Sequence, residues 1–296
     1  MPSVPAFGTG LPGIQQIPSR ARPWEKEVDG PKMLEAARAA EAAGFGWVSC
    51  SDHPCVPVSR AQAMGPTWYD AGSTLAFVAG VTTRIRLLPH VLVLPYRHPL
   101  VVAKQYGTLD FLSGGRVIVG VGSGHVKAEF STLGADYERR GKVTDEYLRA
   151  LAAAWEHDVA EFQGEFVAFR DMMVWPRPVQ KPRPPLWVGG NSNAAVKRAA
   201  RFGDGWIPWE LTPEDFAAKA AYARHIRHDV GRSNSFTLVA PLGVAADATA
   251  DPVLREVTRW REAGATAFHV GLAADGWAHY LDRIAWFGRA VIARIG

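Results

Sequence analysis

The chain has 296 residues, 48% of them hydrophobic and 21% charged, with 33 basic against 29 acidic side chains and a net charge of +4. That balance excludes a disordered or fibrous chain, and an α/β barrel of this length would form one domain over residues 1–296. The charges are dispersed rather than gathered in a tail, which counts against nucleic acid, and no apolar run approaches a membrane span. The start of the chain has no basic stretch leading into an apolar one, so a cytoplasmic protein is expected. Cys50 and Cys55 lie too close together to frame a disulfide scaffold and read as reduced thiols.

Strand and helix signals alternate along the chain. Pro5 to Thr9 reads as a short strand, Pro31 to Ala43 as an alanine-rich helix closed by Gly44, and Phe45 to Ser51 as a strand ending in Asp52 and His53. The spacing predicts a helix over Asp70 to Val81, a strand over Ile85 to Leu94 and a helix over Leu100 to Leu112. Ser113, Gly114 and Gly115 make a tight turn. Arg116 to Val121 then alternates β-branched residues with glycine, as a fully buried strand does. A long amphipathic helix over Glu138 to Trp155 follows, then a strand at Leu186 to Val188, a helix at Ser192 to Phe202 and a strand at Gly205 to Pro208. Thr212 and Pro213 supply an N-cap with proline at the first helical position, and Asp251 and Pro252 repeat the device. Phe236 to Val244 is apolar, Ala267 to Val270 reads as a strand, and a last helix runs through Tyr280 to Arg294. Eight strands, each followed by a helix, predict a (β/α)8 barrel rather than an open doubly wound sheet.

One segment, about 158–185, breaks the rhythm between the fourth and fifth strands. Its aromatic runs EFQGEF and FRDMMVW precede the proline-dense PRPVQKPRPP, which sustains neither helix nor central strand. It reads as a hairpin insertion with an extended return, either part of the site or a structural cover.

In such a barrel the reactive groups gather at the C-terminal ends of the strands. Polar residues recur there: Asp52 with His53, His90, Ser123 with His125, Gly189 to Ser192, Trp209 with Glu210, and His269. A lone histidine in that position is more often a packing residue than a catalyst, but His53 and His125 together favour acid–base chemistry. Gly122, Ser123 and Gly124 end a strand in bare backbone that a planar ring can approach. Gly189 and Gly190 lead into a helix whose first amides would receive a phosphate, although an ordinary capped turn has the same sequence. No Walker lysine or G-x-G-x-x-G turn is present, and no spaced histidine and carboxylate cluster supports a metal.

Four ordered motifs spanning nearly the whole chain carry a resemblance: WVSCSDH, TTRIRLLPHVLVLPYRHP, LSGGRVIVGVGSGHVKAEF and PLWVGGNSNAAVKRAARFGDGW. Together they resemble the luciferase-like flavin and deazaflavin oxidoreductases, most closely the branch that uses coenzyme F420. The resemblance implies a TIM barrel with an insertion, usually a homodimer, acting on a small-molecule substrate. It implies that Asp52 and His53 lie beside the deazaflavin ring and that a non-proline cis peptide at His90 and Val91 backs it. It places Gly122, Ser123 and Gly124 at the cofactor, His125 at the acid/base position, and Gly189, Gly190, Asn191 and Ser192 at the phosphate-bearing tail. Sugar-phosphate dehydrogenases of the family carry glutamate where His125 stands and a tryptophan soon after the Asp-His pair, which counts against glucose 6-phosphate here.

Trp68, Tyr69, Trp175, Trp209 and Trp277 offer walls for an apolar or aromatic substrate, though aromatics at these spacings are more often core. Specificity is expected in the loop Pro54 to Pro66 and in the insertion. The basic balance suits an anionic polyglutamate tail, with Arg97, Lys104, Lys127 and Arg177 as candidate contacts. The expected reaction is hydride transfer between C5 of the deazaflavin and a substrate carbon, with His53 or His125 moving the proton. An FMN-dependent monooxygenase on the same barrel and a non-catalytic flavin-binding protein are the alternatives.

Overall fold

The computed structural model describes residues 6–295, so Pro5 of the first expected strand lies outside it. Strands β1 (Ala6–Gly10), β2 (Trp47–Cys50), β3 (Arg86–Pro89), β4 (Leu92–Val93) and β5 (Val119–Gly122) come first. A hairpin of β6 (Ala160–Gln163) and β7 (Ala168–Met172) follows, and then β8 (Leu186–Gly189), β9 (Gly205–Ile207), β10 (Thr237–Val244) and β11 (Ala267–Leu272). The other nine strands pair in parallel, in the order β3-β2-β1-β11-β10-β9-β8-β5-β4. The circle closes where Leu87 of β3 bridges to Val117, just before β5; the Ile118 amide donates to the Leu87 carbonyl at 3.0 Å. β3 and β4 are therefore halves of one barrel strand, and the architecture is the expected (β/α)8 barrel.

Helices α1 (Gly30–Ala42), α2 (Val58–Met64), α3 (Ala71–Ala79), α4 (Pro99–Ser113), α5 (Lys127–Thr132) and α6 (Arg140–Glu156) occupy the first half of the chain. The second half carries α7 (Asn193–Phe202), α8 (Pro213–Asp229), α9 (Ala250–Glu262), α10 (Trp277–Phe287) and the short α11 (Ala293–Ile295). Local chemistry sets their ends: Asp29 accepts the Lys32 amide at 2.9 Å, Ser192 the Ala195 amide at 3.2 Å and Thr212 the Asp215 amide at 3.1 Å. Gly114, at φ 69°, ends α4 in the left-handed conformation that a side chain would disfavour. Two expected ends differ. α9 starts one residue after Thr249, so Asp251 and Pro252 fall within its first turn rather than at the cap. The last helix begins earlier, at Trp277, and passes through a π-helical segment, Gly288–Ile292, before α11. No helix among the described residues is long and apolar enough to cross a membrane.

Inside the barrel Trp47, Leu88, Ile118, Trp187, Ile207, Val239 and Ala267 form one packed layer. Trp47 lies across Gly8, where a Cβ would come within 1.9 Å of the indole. A larger shell between strands and helices includes the stacked rings of Phe7 and Phe268, 5.1 Å apart.

The insertion is the expected hairpin; it lies along the outer side of α6, and its tip reaches the start of that helix, where Arg139 pairs with Glu165 at 3.2 Å. Glu146 of α6 accepts the amides of Glu165, Phe166 and Val167 at 2.7–2.8 Å. Asp110 of α4 accepts those of Val179 and Gln180, while the Gln180 side chain donates to the carbonyl of Val117, at the start of the fourth barrel strand. Trp175, Lys104 and Arg177 belong to this region: Lys104 donates to the Trp175 carbonyl, and Arg177 pairs with Asp158. The proline-dense return then descends to the start of the fourth barrel strand, so the segment covers the outside of α6 and α4.

A third carboxylate fixes the start of β3. Glu41, in the last turn of α1, accepts the amides of Thr83, Arg84 and Ile85 at 2.7–2.9 Å. Partial burial pushes its carboxyl up, but the amides of Ile85, Arg84 and Thr83 outweigh this and hold it lowered to about 2. Its stabilisation is complete above the ordinary value of 4.5 and is lost as the pH falls towards 2. Glu41→Gln should cost about 1–2 kcal/mol in urea unfolding at pH 7, and its difference from the parent should shrink below pH 4.5.

Candidate functional site

The C-terminal ends of β2, β4 and β5 bring their polar residues together. Beyond β2, Asp52 is buried and His53 partly so. The Asp52 carboxylate accepts two hydrogen bonds from the Arg97 guanidinium, both at 2.8 Å, and one from the Val93 amide at 3.3 Å. Its lone pairs are spent on holding β4 and the following turn against β2. The resemblance puts Asp52 beside the ring; in the structure its side chain acts on the strand behind that position.

His53 points elsewhere. Its Nδ1 lies 2.7 Å from Oε1 of Glu129 on α5, and the Tyr96 hydroxyl donates to Oε2 of the same carboxylate at 2.6 Å. Glu129 is wholly buried, so these two partners take the place of water around its charge. Burial first, then the hydrogen bond to Glu129, pushes the Tyr96 hydroxyl far above its usual range, which keeps it a donor. Trp68 stands edge-on to the His53 ring at 4.4 Å, and His125 at 5.9 Å, nearly perpendicular. His125 is exposed at the rim, yet the surrounding protein and then neighbouring His53 hold its pKa below the ordinary value, leaving it mostly neutral at pH 7.

Between β3 and β4 the His90–Val91 bond is cis, as the resemblance implies. Val91 turns its side chain towards the neighbouring strands: a Cβ on Gly122 would come within 2.7 Å of it, and one on Gly189 within 2.8 Å. Glycine at both positions is thus what admits the bulge. Gly124, at φ 73°, is equally constrained, since a Cβ there would meet Val93 at 2.6 Å and Phe130 at 2.8 Å; the tight turn through Ser123 and Gly124 delivers His125 to the rim. Beneath the mouth the rings of His90 and His269 meet at 4.5 Å, nearly at right angles, and the Trp47 indole N–H donates to His269 Nδ1 at 3.4 Å. Burial lowers His90 to about 4 and His269 well below its usual value, so both are neutral; His90 Nε2 is buried with no partner among the described residues.

At the β8 end Gly190, at φ 114°, swings the chain into α7. The Asn191 side chain clamps the Trp209 backbone, accepting from its amide at 3.1 Å and donating to its carbonyl, and the Ser192 hydroxyl caps α7. Both side chains have internal work, which leaves the backbone amides at the start of α7 to receive an anion. Arg97 is paired with Asp52 and Lys127 with Glu138, so neither is the free cation expected for a tail. Trp277 packs on Trp24 and Tyr280 in an aromatic cluster, consistent with its reading as core.

The residues therefore fit a flat cofactor ring on one point above all: a backbone bulge at Val91, backed by bare glycine on two strands, beside His53 and His125. Glu129 and Tyr96 escaped the sequence reading. The signal for Glu129 was its place one helical turn beyond His125 in HVKAE, but α5 is too short to show periodicity.

The chain matches the model of luciferase-like monooxygenases over residues 16–290. It is 36% identical over 269 residues to an uncharacterised protein of Mycobacterium tuberculosis, covering 84% of this chain and 91% of that one. It is 34% identical over 247 residues to the FMNH2-dependent dimethylsulfone monooxygenase of Pseudomonas putida, covering 75% of this chain and 61% of that one. The coenzyme F420-dependent tetrahydromethanopterin reductase of Methanopyrus kandleri shares the fold at a TM-score of 0.80 and 18% identity, covering 99% of this chain and 100% of that one. A closed parallel barrel, a glycine-backed bulge in its third strand and a match that runs almost end to end agree: this chain belongs to the luciferase-like monooxygenase family.

Proposed function

We propose that the protein is a coenzyme F420-dependent oxidoreductase acting on a small organic substrate. When bound, the deazaflavin supplies or accepts a hydride at C5. The observation that carries the reading is the His53–Glu129 pair with His125 beside it. With Nδ1–H donated to Glu129, the His53 ring leaves Nε2 to take or give a proton, and the buried carboxylate faces the positive charge that a gained proton creates. Tyr96 holds the other carboxylate oxygen, which fixes the pair in orientation. His125, neutral and at the rim, exchanges the proton with solvent. The Val91 bulge would back the ring, with Gly122, Ser123 and Gly124 beside it, and Gly189, Gly190, Asn191 and Ser192 would place the phosphate-bearing tail at the start of α7.

A reduced-FMN monooxygenase on the same site is the second reading, favoured by the identity to the Pseudomonas putida enzyme. Titration of the apo-protein with oxidised F420 and, separately, with FMN, following the fluorescence of each, distinguishes the two. Tighter binding of F420 supports the first reading, and tighter binding of FMN the second. For the assembly we infer a homodimer, formed through the outer face of α4, where Val101 and Leu112 lie three turns apart, 58% and 76% exposed.

His125→Ala should lower turnover about 100-fold or more while cofactor affinity changes by less than about threefold; equal losses would make it a binding residue. Glu129→Gln should lower kcat about 10- to 100-fold. Leu112→Lys should shift sedimentation equilibrium towards the monomer.

A further inference from the structure

At the top of one side of the barrel, three adjacent strands present glycine to the interior. Gly243 of β10 and Gly271 of β11 are paired in register, and Gly10 of β1, one residue beyond the Thr9–Val270 pair, completes the row. All three face inward: Val239 and Ala267 lie two inward positions below the first two, and Gly8, against the Trp47 indole, lies one below Gly10. A Cβ built on Gly243 or Gly271 would meet nothing within 4 Å, and one on Gly10 only the Ser49 hydroxyl, at 3.9 Å. This openness contrasts with Gly122 and Gly189, across the barrel, where Val91 fills the space.

We propose that Gly10, Gly271 and Gly243 form the bare wall of the substrate chamber, shaped for a flat, uncharged ring system lying against the backbone of three adjacent strands. That its occupant is the substrate rests on the hydride-transfer reading above, which gives the Val91 side to the cofactor. Neighbouring strands are about 4.8 Å apart, so the row spans roughly 10 Å, the width of two fused six-membered rings. No charged atom lies within 4 Å of the three Cβ positions. Below them the His90–His269 pair makes a neutral floor. An uncharged plane matches both surfaces, whereas a carboxylate or phosphate would be desolvated there with no counter-charge.

The test uses 2-naphthol as the neutral planar probe and 2-naphthoate as its anionic counterpart, each titrated by fluorescence into the full-length protein. Alanine and valine are placed in turn at Gly243 and Gly271, with circular dichroism melts to confirm folding. The wild type should bind 2-naphthol about tenfold more tightly than 2-naphthoate; alanine should weaken 2-naphthol about threefold and valine more than about tenfold, with F420 and FMN affinities unchanged. Preference for the anion, or valine variants that bind 2-naphthol as the wild type does, would overturn the proposal. So would parallel loss of cofactor affinity, which would give the wall to the cofactor ring. Graded loss of 2-naphthol in a protein that binds neither cofactor would uphold the chamber and remove the hydride-transfer reading instead.

Discussion

The third barrel strand does not run straight through, and the mouth is organised around holding its interruption in place. Between Pro89 and Leu92 the chain leaves the regular ladder, and the Val91 side chain occupies space that glycine leaves free on β5 and β8. The lower half of the strand is fixed by Glu41 on its leading turn, and the upper half by Asp52, which holds the Val93 amide and the Arg97 guanidinium. Neither acid touches the space above the bulge. Both determine where its backbone stands.

Buried carboxylates are costly, and this barrel uses two near its mouth in different ways. Asp52 meets a full positive charge in bidentate geometry, an arrangement that locks structure. Glu129 meets a phenol and an imidazole, neither permanently charged. The same functional group thus meets a fixed charge in one place and two neutral-capable rings in the other. The difference lies wholly in what each carboxylate faces.

Much of this was legible in the sequence. The alternation of strand and helix located all eight barrel strands, because burial on both faces leaves unmistakable apolar runs, and the glycines at Gly122, Gly124, Gly189 and Gly190 marked the backbone that comes close to other atoms. What stayed hidden was long-range pairing between short elements. Nothing near Asp52 announces Arg97, and nothing near His53 announces Glu129, since those contacts exist only once β2, β4 and α5 are adjacent. Gly10, Gly243 and Gly271 were equally silent, for each looks like an ordinary strand glycine until the register sets them side by side. The insertion was recognised as a hairpin, but composition describes what a segment forms and not which helices it lies against.

The carboxylates that collect backbone amides have a consequence for how the scaffold changes over time. Glu41, Asp110 and Glu146 each gather backbone amides from a connecting segment, so the geometry of those segments depends little on the side chains they carry. The frame is secured from its helices, independently of whatever occupies the mouth. A barrel built this way can exchange the loops of its upper rim without renegotiating its own assembly, so new chemistry at the mouth need not be met by a new core.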